Sequence, residues 1–330
     1  MLILPQTNNQ EKSVLVTGAS GFIGSALCKE LIQRDFKVSA VIRRPFDITG
    51  ISHLYQIDDL SPDIDWHSIL IGKGVIVHLA ARAHVLTETN NDAEDLYIQT
   101  NTLSTLNLAN QAAKVGVKRF IFISSIGVHG SKTQDGEVFN EQSDINPHNA
   151  YTRSKWSAEQ ALNEIALNTS MEVVILRPTL VYGPEPKGNF LTLLKLVHSG
   201  LPLPFGGIDN LRSFIYLGNL VDVIIKCVKN PNAAGKTYVL SDGEDISTGN
   251  LMKVMAKAIN SNSYIFAFPR TWLRLGFKML GKSQTFDKFS SSLVVDSSKV
   301  REDLNWLPPY TLQDGIKHVA EWFVKSKKSF

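Results

Sequence analysis

Tyr151 and Lys155, in the run Tyr151-Thr152-Arg153-Ser154-Lys155, stand four residues apart. On a helix that spacing puts both side chains on one face, a single turn from each other. The pairing suits general acid–base chemistry. An ammonium beside a phenol stabilises the phenolate and lowers its pKa from about 10 toward the working range. A hydroxyl stands upstream, in Phe122-Ile123-Ser124-Ser125. Ser125 can hold the oxygen of a carbinol or ketone while Tyr151 moves its proton. Asn101 is a further candidate, for completing a proton relay. A Tyr-x-x-x-Lys pair alone is weak, because a buried Tyr beside a snorkelling Lys gives the same pattern.

The second chemical feature is a glycine turn, Val14-Leu15-Val16-Thr17-Gly18-Ala19-Ser20-Gly21-Phe22-Ile23-Gly24. Gly18 permits a tight turn, Gly21 lets backbone approach a pyrophosphate, and Gly24 lets a helix pack closely on a strand. A helix beginning near Phe22 and Ile23 adds N–H donors and the positive end of its dipole. Further along, Asp59 and Leu60 suit an adenine contact, and Leu79, Ala80 and Ala81 are small enough for a cofactor to lie close. A dinucleotide fold places Asp or Glu about 20 residues beyond the turn, to bind the ribose 2′-OH. Arg43-Arg44 stands there instead. Cations suit a 2′-phosphate and favour NADP over NAD, with a solvated basic turn as the plain alternative.

These groups must be positioned by a scaffold. Short apolar runs at Ser13–Val16, Lys37–Ile42, Gly74–Leu79, Arg119–Ser124 and Glu172–Leu176 alternate with helix-length segments at Ala26–Arg34, Ala93–Val115 and Tyr151–Asn168. Continuous apolar strands between helices predict a parallel sheet covered on both faces. The fold expected is α/β, a Rossmann-type doubly wound parallel sheet with a smaller mixed, mostly helical C-terminal substrate lobe. Pro and Gly crowd residues 178–212 and break the periodicity. Leu217–Lys229 then reads as a helix, Lys236–Leu240 as a strand returning to the sheet, and Ser247–Ile259 as a capped helix. Thr311-x-x-Asp314 opens a last helix through Trp322. The division expected is residues 13–182, with 213–242 returning, for the dinucleotide domain. Residues 183–212 and 243–330 form the lobe, and 1–12 a flexible tail.

Composition agrees with an enzyme of this kind and excludes others. The chain has 330 residues, 43% of them apolar, and a formal charge of +3. That balance gives no bulk attraction for nucleic acid. Cys28 and Cys227 lie far apart without a Cys/His cluster, so neither zinc nor a disulfide framework is expected. No apolar run is long enough to span a membrane, the start lacks a signal-type core, and the chain reads as cytoplasmic.

The ordered series TGASGFIG, HLAA, SSIGVHG, YTRSK, LRPTLVYGP and LNWLPPY resembles the extended short-chain dehydrogenase/reductase superfamily, in its NAD-dependent epimerase/dehydratase group. The likeness runs from about Val14 to the final helix. It is nearest to UDP-quinovosamine-type 4-keto-sugar reductases and UDP-sugar 4-epimerases. The resemblance implies NAD or NADP on the glycine turn, with Pro178 among the cofactor contacts, and a triad at Ser125, Tyr151 and Lys155. It also implies a homodimer through helices near 94–115 and 151–168. Gly127 and Ser125 would contact substrate, and Asn189 and Arg212 resemble residues that bind the sugar diphosphate. Arg212 suits that role by its bidentate geometry. Leu203-Pro204-Phe205 is a candidate edge for uracil. Two departures stand out: Arg43 replaces an acidic residue usual in the epimerases, and His129 replaces a frequent Tyr.

The reaction this predicts is reduction of the 4-keto group of a UDP-acetamido-deoxyhexose, with UDP-sugar 4-epimerisation as the alternative and a non-catalytic NADP-binding regulator behind both. Ile126-Gly127 stands where 4,6-dehydratases carry Asp-Glu, which disfavours dehydration. His84, His129 and His148 read as isolated loop or core residues. Pro269–Lys282 is basic and amphipathic, and reads as a lobe helix burying Trp272, Leu273, Leu275 and Leu280 ahead of a membrane-surface element.

Overall fold

The computed structural model describes residues 12–83, 92–186 and 188–328. His84 and the expected tail, apart from Lys12, lie outside the described residues. In β1 (Ser13–Thr17), Val14 and Val16 enter one apolar cluster and Leu15 enters another. The same alternation splits β4 (Val75–His78), β5 (Arg119–Ile123) and β6 (Glu172–Pro178) between the two clusters. A strand buried on both faces has no polar side, which is why these segments read as unbroken apolar runs. With β2 (Lys37–Ile42), β3 (His53–Gln56) and β9 (Thr237–Leu240), they form one sheet in the order β3-β2-β1-β4-β5-β6-β9. Every pairing in it is parallel. The strand order reverses between β1 and β4, and ligands bind at that kind of switch point.

Helices α1 (Phe22–Gln33), α7 (Leu217–Lys229) and α11 (Ser298–Leu304) close one face. The short α2 (His67–Leu70), α4 (Ser104–Lys114) and α5 (Ala150–Asn168) close the other. Cys28 and Cys227 are free thiols buried in the first core, and burial pushes both up to about 12. The helix expected over 93–115 is interrupted: α3 (Asp92–Tyr97) leads through a π-helical turn, Ile98–Leu103, into α4. Polar side chains hold that turn, with Thr102 Oγ1 donating to Ser154 O at 2.9 Å and Thr105 Oγ1 to Asn101 O at 2.7 Å.

A second, three-stranded sheet has the order β10-β8-β7, from β7 (Leu180–Tyr182), β8 (Arg212–Tyr216) and β10 (Asp245–Ile246). A third core joins it to α6 (Gly188–His198), α8 (Thr248–Ala258) and α12 (Leu312–Lys328). Outside it lie α9 (Arg270–Met279) and α10 (Ser283–Ser290). Here one expectation fails. Leu273 is buried, but Trp272, Leu275 and Leu280 are exposed, because α9 meets the lobe along one edge only, through Leu273 and Phe277 against Ile208 and Phe286. Among the described residues no helix is long and apolar enough to cross a membrane.

Candidate active site

At the C-terminal end of β1 the chain turns through Gly18, whose φ is +69°. A Cβ there would also lie 2.8 Å from the Ala80 backbone N. Gly24 sits in the first turn of α1, where a Cβ would come within 2.2 Å of Gly18 O, so the helix approaches the turn as closely as backbone allows. Gly21 is the N-cap of α1, and neither a side-chain cap nor an acidic first-turn residue occupies that end. The open helix start therefore offers its amides and dipole to an anion.

Two cavities meet above the switch point. Gly18, Gly21, Arg43, Asp59, Leu60 and Ala80 line one of about 360 Å³. Ser125, Gly127, Tyr151, Lys155, Pro178 and Arg212, with Ile23, line the other, of about 450 Å³. Leu79 and Ala81 belong to both, which makes one trough along the sheet's upper edge. Its glycine cradle and the open start of α1 fit the pyrophosphate of a dinucleotide. Gly24 and Phe22 line neither cavity; Gly24 serves helix packing, and Phe22 lies partly buried against the first core. At the outer end Arg43 Nη1 bonds Asp59 Oδ1 at 3.0 Å, and the same oxygen accepts from Leu60 N at 2.8 Å. The pair is open to solvent, at 62% and 64% exposure, so it holds Arg43 only weakly at the cavity's edge.

The catalytic candidates converge in the larger cavity. Asn149 caps α5 in a capping box with Thr152, its side chain accepting from Thr152 N at 2.8 Å, and this fixes the first turn that carries Tyr151. Ser125 caps the 3₁₀ turn Ile126–Val128, and its Oγ accepts from Gly127 N at 3.1 Å. Lys155 Nζ donates to Ile123 O at 2.8 Å and lies 4.5 Å from the centre of the Phe122 ring and 6.0 Å from that of Tyr151. Burial lowers the lysine to about 7, against an upward pull from Glu159. The phenol runs opposite to expectation: burial and neighbouring Tyr97 push Tyr151 up to about 12. The lysine stands beneath the ring, turned toward the β5 carbonyl, and by itself does not lower the phenol.

Asn101 is buried in the π-helical turn, with Oδ1 accepting from Arg82 N at 2.8 Å and Nδ2 donating to Arg82 O and Ser154 Oγ. It lines neither cavity and braces α5. Leu203-Pro204-Phe205 lines neither of these two cavities: Leu203 is buried beside Ile265, and the half-buried Phe205 packs on Phe277. Asn189 is the second residue of α6, and its side chain lies outside the described residues.

Arg212 enters the cavity wall from β8, with Nη1 donating to Lys288 O at 3.1 Å and Ser291 O at 3.2 Å. Among the described residues no carboxylate pairs with it, and burial lowers its pKa. His129 is a core residue, bonded to Asp144 O and Arg177. His148, in contrast, borders the cavity. Ser213 and Leu293 also line it and were not foreseen. Ser213 directly follows Arg212 on β8, and Leu293 reaches the cavity through an isolated bridge to Arg212.

Comparison with known proteins agrees with this geometry. The chain is 41% identical over 317 residues to a UDP-glucose 4-epimerase of Vibrio cholerae, covering 96% of each chain. It is 30% identical over 337 residues to an N-acetyl-alpha-D-glucosaminyl-diphospho-ditrans,octacis-undecaprenol 4-epimerase of Escherichia coli O157:H7, covering 96% of this chain and 97% of that one. Among solved structures, MoeE5 in complex with UDP-glucose and NAD has a TM-score of 0.75 at 24% identity, covering 96% and 99% of the two chains. A sequence model described as the NAD dependent epimerase/dehydratase family matches residues 14–241. With the glycine cradle, the trough and the Ser/Tyr/Lys convergence in place, the chain belongs to the NAD-dependent epimerase/dehydratase family.

Proposed function

We propose that the protein is a UDP-hexose 4-epimerase, working through a 4-keto sugar. The observation that carries the reading is the convergence of Ser125, Tyr151 and Lys155 in one cavity continuous with the glycine cradle. The two relatives described above, at 41% and 30% identity, are both named as 4-epimerases, and this moves epimerisation ahead of the reductase predicted from sequence.

Bound NAD supplies a hydride acceptor and donor at C4. Tyr151 takes the proton of the C4 hydroxyl and returns it once the sugar has presented its other face. Ser125 Oγ holds the same oxygen in both directions, so the ketone does not drift from the acid. The positive start of α5 and the Lys155 ammonium favour the charged phenolate when the proton is on the substrate's side of the exchange. Arg212 and the start of α6 at Asn189 hold the diphosphate in the lobe formed by 183–212 and 243–330. A homodimer through α3–α4 and α5 fits the exposed Leu96, Ile98 and Leu167 on these helices.

Arg43 favours a second reading, reduction of a UDP-4-keto-acetamido-deoxyhexose with exchangeable NADPH. Purified protein incubated with UDP-glucose, UDP-N-acetylglucosamine and a UDP-4-keto sugar separates the two. Epimerisation gives a new 4-epimer with no net change in nicotinamide absorbance. Stoichiometric consumption of NADPH with the keto sugar alone would establish the reductase.

A further inference from the structure

Helix α9 and the turn after it leave four large apolar side chains bare: Trp272, Leu275, Met279 and Leu280 are 64%, 48%, 80% and 72% exposed. On a helical projection Leu275, Met279, Trp272 and Leu280 fill one continuous arc of roughly 140°. The next arc holds Leu273 and Phe277, which anchor the helix on Ile208, Phe205 and Phe286. Arg274 and Lys278 occupy the remaining side, and Lys282 follows the helix. From Phe268 to Lys282 there are four cations and no carboxylate. Arg270 is bound to the lobe, with Nη2 donating to Ser290 O at 2.9 Å.

The segment is therefore held by one edge, apolar on its free face and cationic beside it. A soluble partner covering an apolar face does not need a flank of unbalanced positive charge. The interface of an anionic bilayer supplies both complements, an acyl boundary for Trp, Leu and Met and lipid phosphates for Lys and Arg. At 10 residues α9 is far too short to span, which leaves it lying in the plane of the interface. It also connects to the cavity: α10 packs against α9 and supplies the Lys288 carbonyl that holds Arg212.

We infer that α9 is a peripheral docking element that lays its Trp272–Leu275–Met279–Leu280 face into the interface of an anionic lipid bilayer, with Arg274, Lys278 and Lys282 on the headgroups. This does not rest on the proposed reaction.

The test is sedimentation of the full-length protein with phosphatidylglycerol-containing vesicles, and with pure phosphatidylcholine vesicles, at low and high salt. Binding to the anionic vesicles at low salt is expected, falling as salt rises. Arg274→Gln/Lys278→Gln/Lys282→Gln should lower the partition coefficient roughly a hundredfold, at about fivefold per cation. Trp272→Ser/Leu275→Ser/Met279→Ser should reduce binding to background while its melting temperature stays that of the parent, since all three side chains face solvent. Failure of the parent protein to bind anionic vesicles would overturn the inference, as would equal binding by the serine variant. A serine variant that turned a larger species into monomers, with no vesicle binding by the parent, would assign the face to a second copy of this chain instead.

Discussion

Lys155 and Glu159 lie one turn apart on the buried face of α5, yet only Glu159 is neutralised in place. Its carboxylate meets the Arg177 guanidinium, with Nε at 3.1 Å from both oxygens, and accepts the Ser124 hydroxyl. Lys155 has a carbonyl and two aromatic faces. The result is a fixed anion beneath the site and a cation of marginal charge within it.

That asymmetry sets a pH dependence of stability. The lysine titrates near its ordinary 10.5 when unfolded and at about 7 when folded. Between those values the unfolded chain binds the extra proton, so this group's contribution rises with pH across the window and is least below pH 7. Lys155→Met removes the dependence. The melting temperature of the variant relative to the parent should be higher at pH 6 than at pH 9, a difference that calorimetry at the two pH values reads directly.

Tyr151→Phe keeps the ring against Tyr97, 6.3 Å between centroids, and removes only the acid. Turnover should fall by about 10²- to 10⁴-fold while NAD affinity stays within a few-fold of the parent. Rate assays beside cofactor titration check both halves. Turnover largely surviving the change would remove Tyr151 from the chemistry and favour a cofactor-binding regulator.

Arg212→Gln should raise KM for a UDP-sugar by roughly ten- to a hundredfold, as expected for loss of a charge-assisted hydrogen bond, with a much smaller change in kcat. Arg212→Lys should not restore it. The guanidinium bonds two carbonyls with one nitrogen and, among the described residues, its other nitrogens carry no bond, a division that a single ammonium cannot reproduce.

Gly24→Ala forces a methyl group against Gly18 O. Separation of α1 from the turn should lower stability by about 1–3 kcal/mol, as overpacking does. It should also weaken NAD binding more than UDP binding, a contrast measurable by calorimetric titration of each ligand.

The chain announced its scaffold because local rules and tertiary demands coincide there. Val14–Val16 reads as a two-face-buried strand because it is one, and Gly18, Gly21 and Gly24 are required where backbone meets backbone. Leu217–Lys229 was legible to the residue from its spacing and flanks. The site was legible in part. Ser125, Tyr151 and Lys155 lie at ends of consecutive elements, so their order along the chain is their order in space. Ser213, Leu293 and His148 reach the same cavity through the small sheet and a loop, which leave no periodic trace. Trp272, Leu275 and Leu280 misled: a helical pattern reports which side is apolar, and the neighbouring elements decide whether anything covers it.

The central claim is epimerisation at C4 by a hydride that leaves and returns to the same carbon. The most direct measurement follows UDP-glucose carrying deuterium at C4, incubated with the protein and no added reduced cofactor. The account predicts the 4-epimer with deuterium retained at C4 and no net change in nicotinamide absorbance. A product lacking the label, or no turnover without added NADPH, would contradict it.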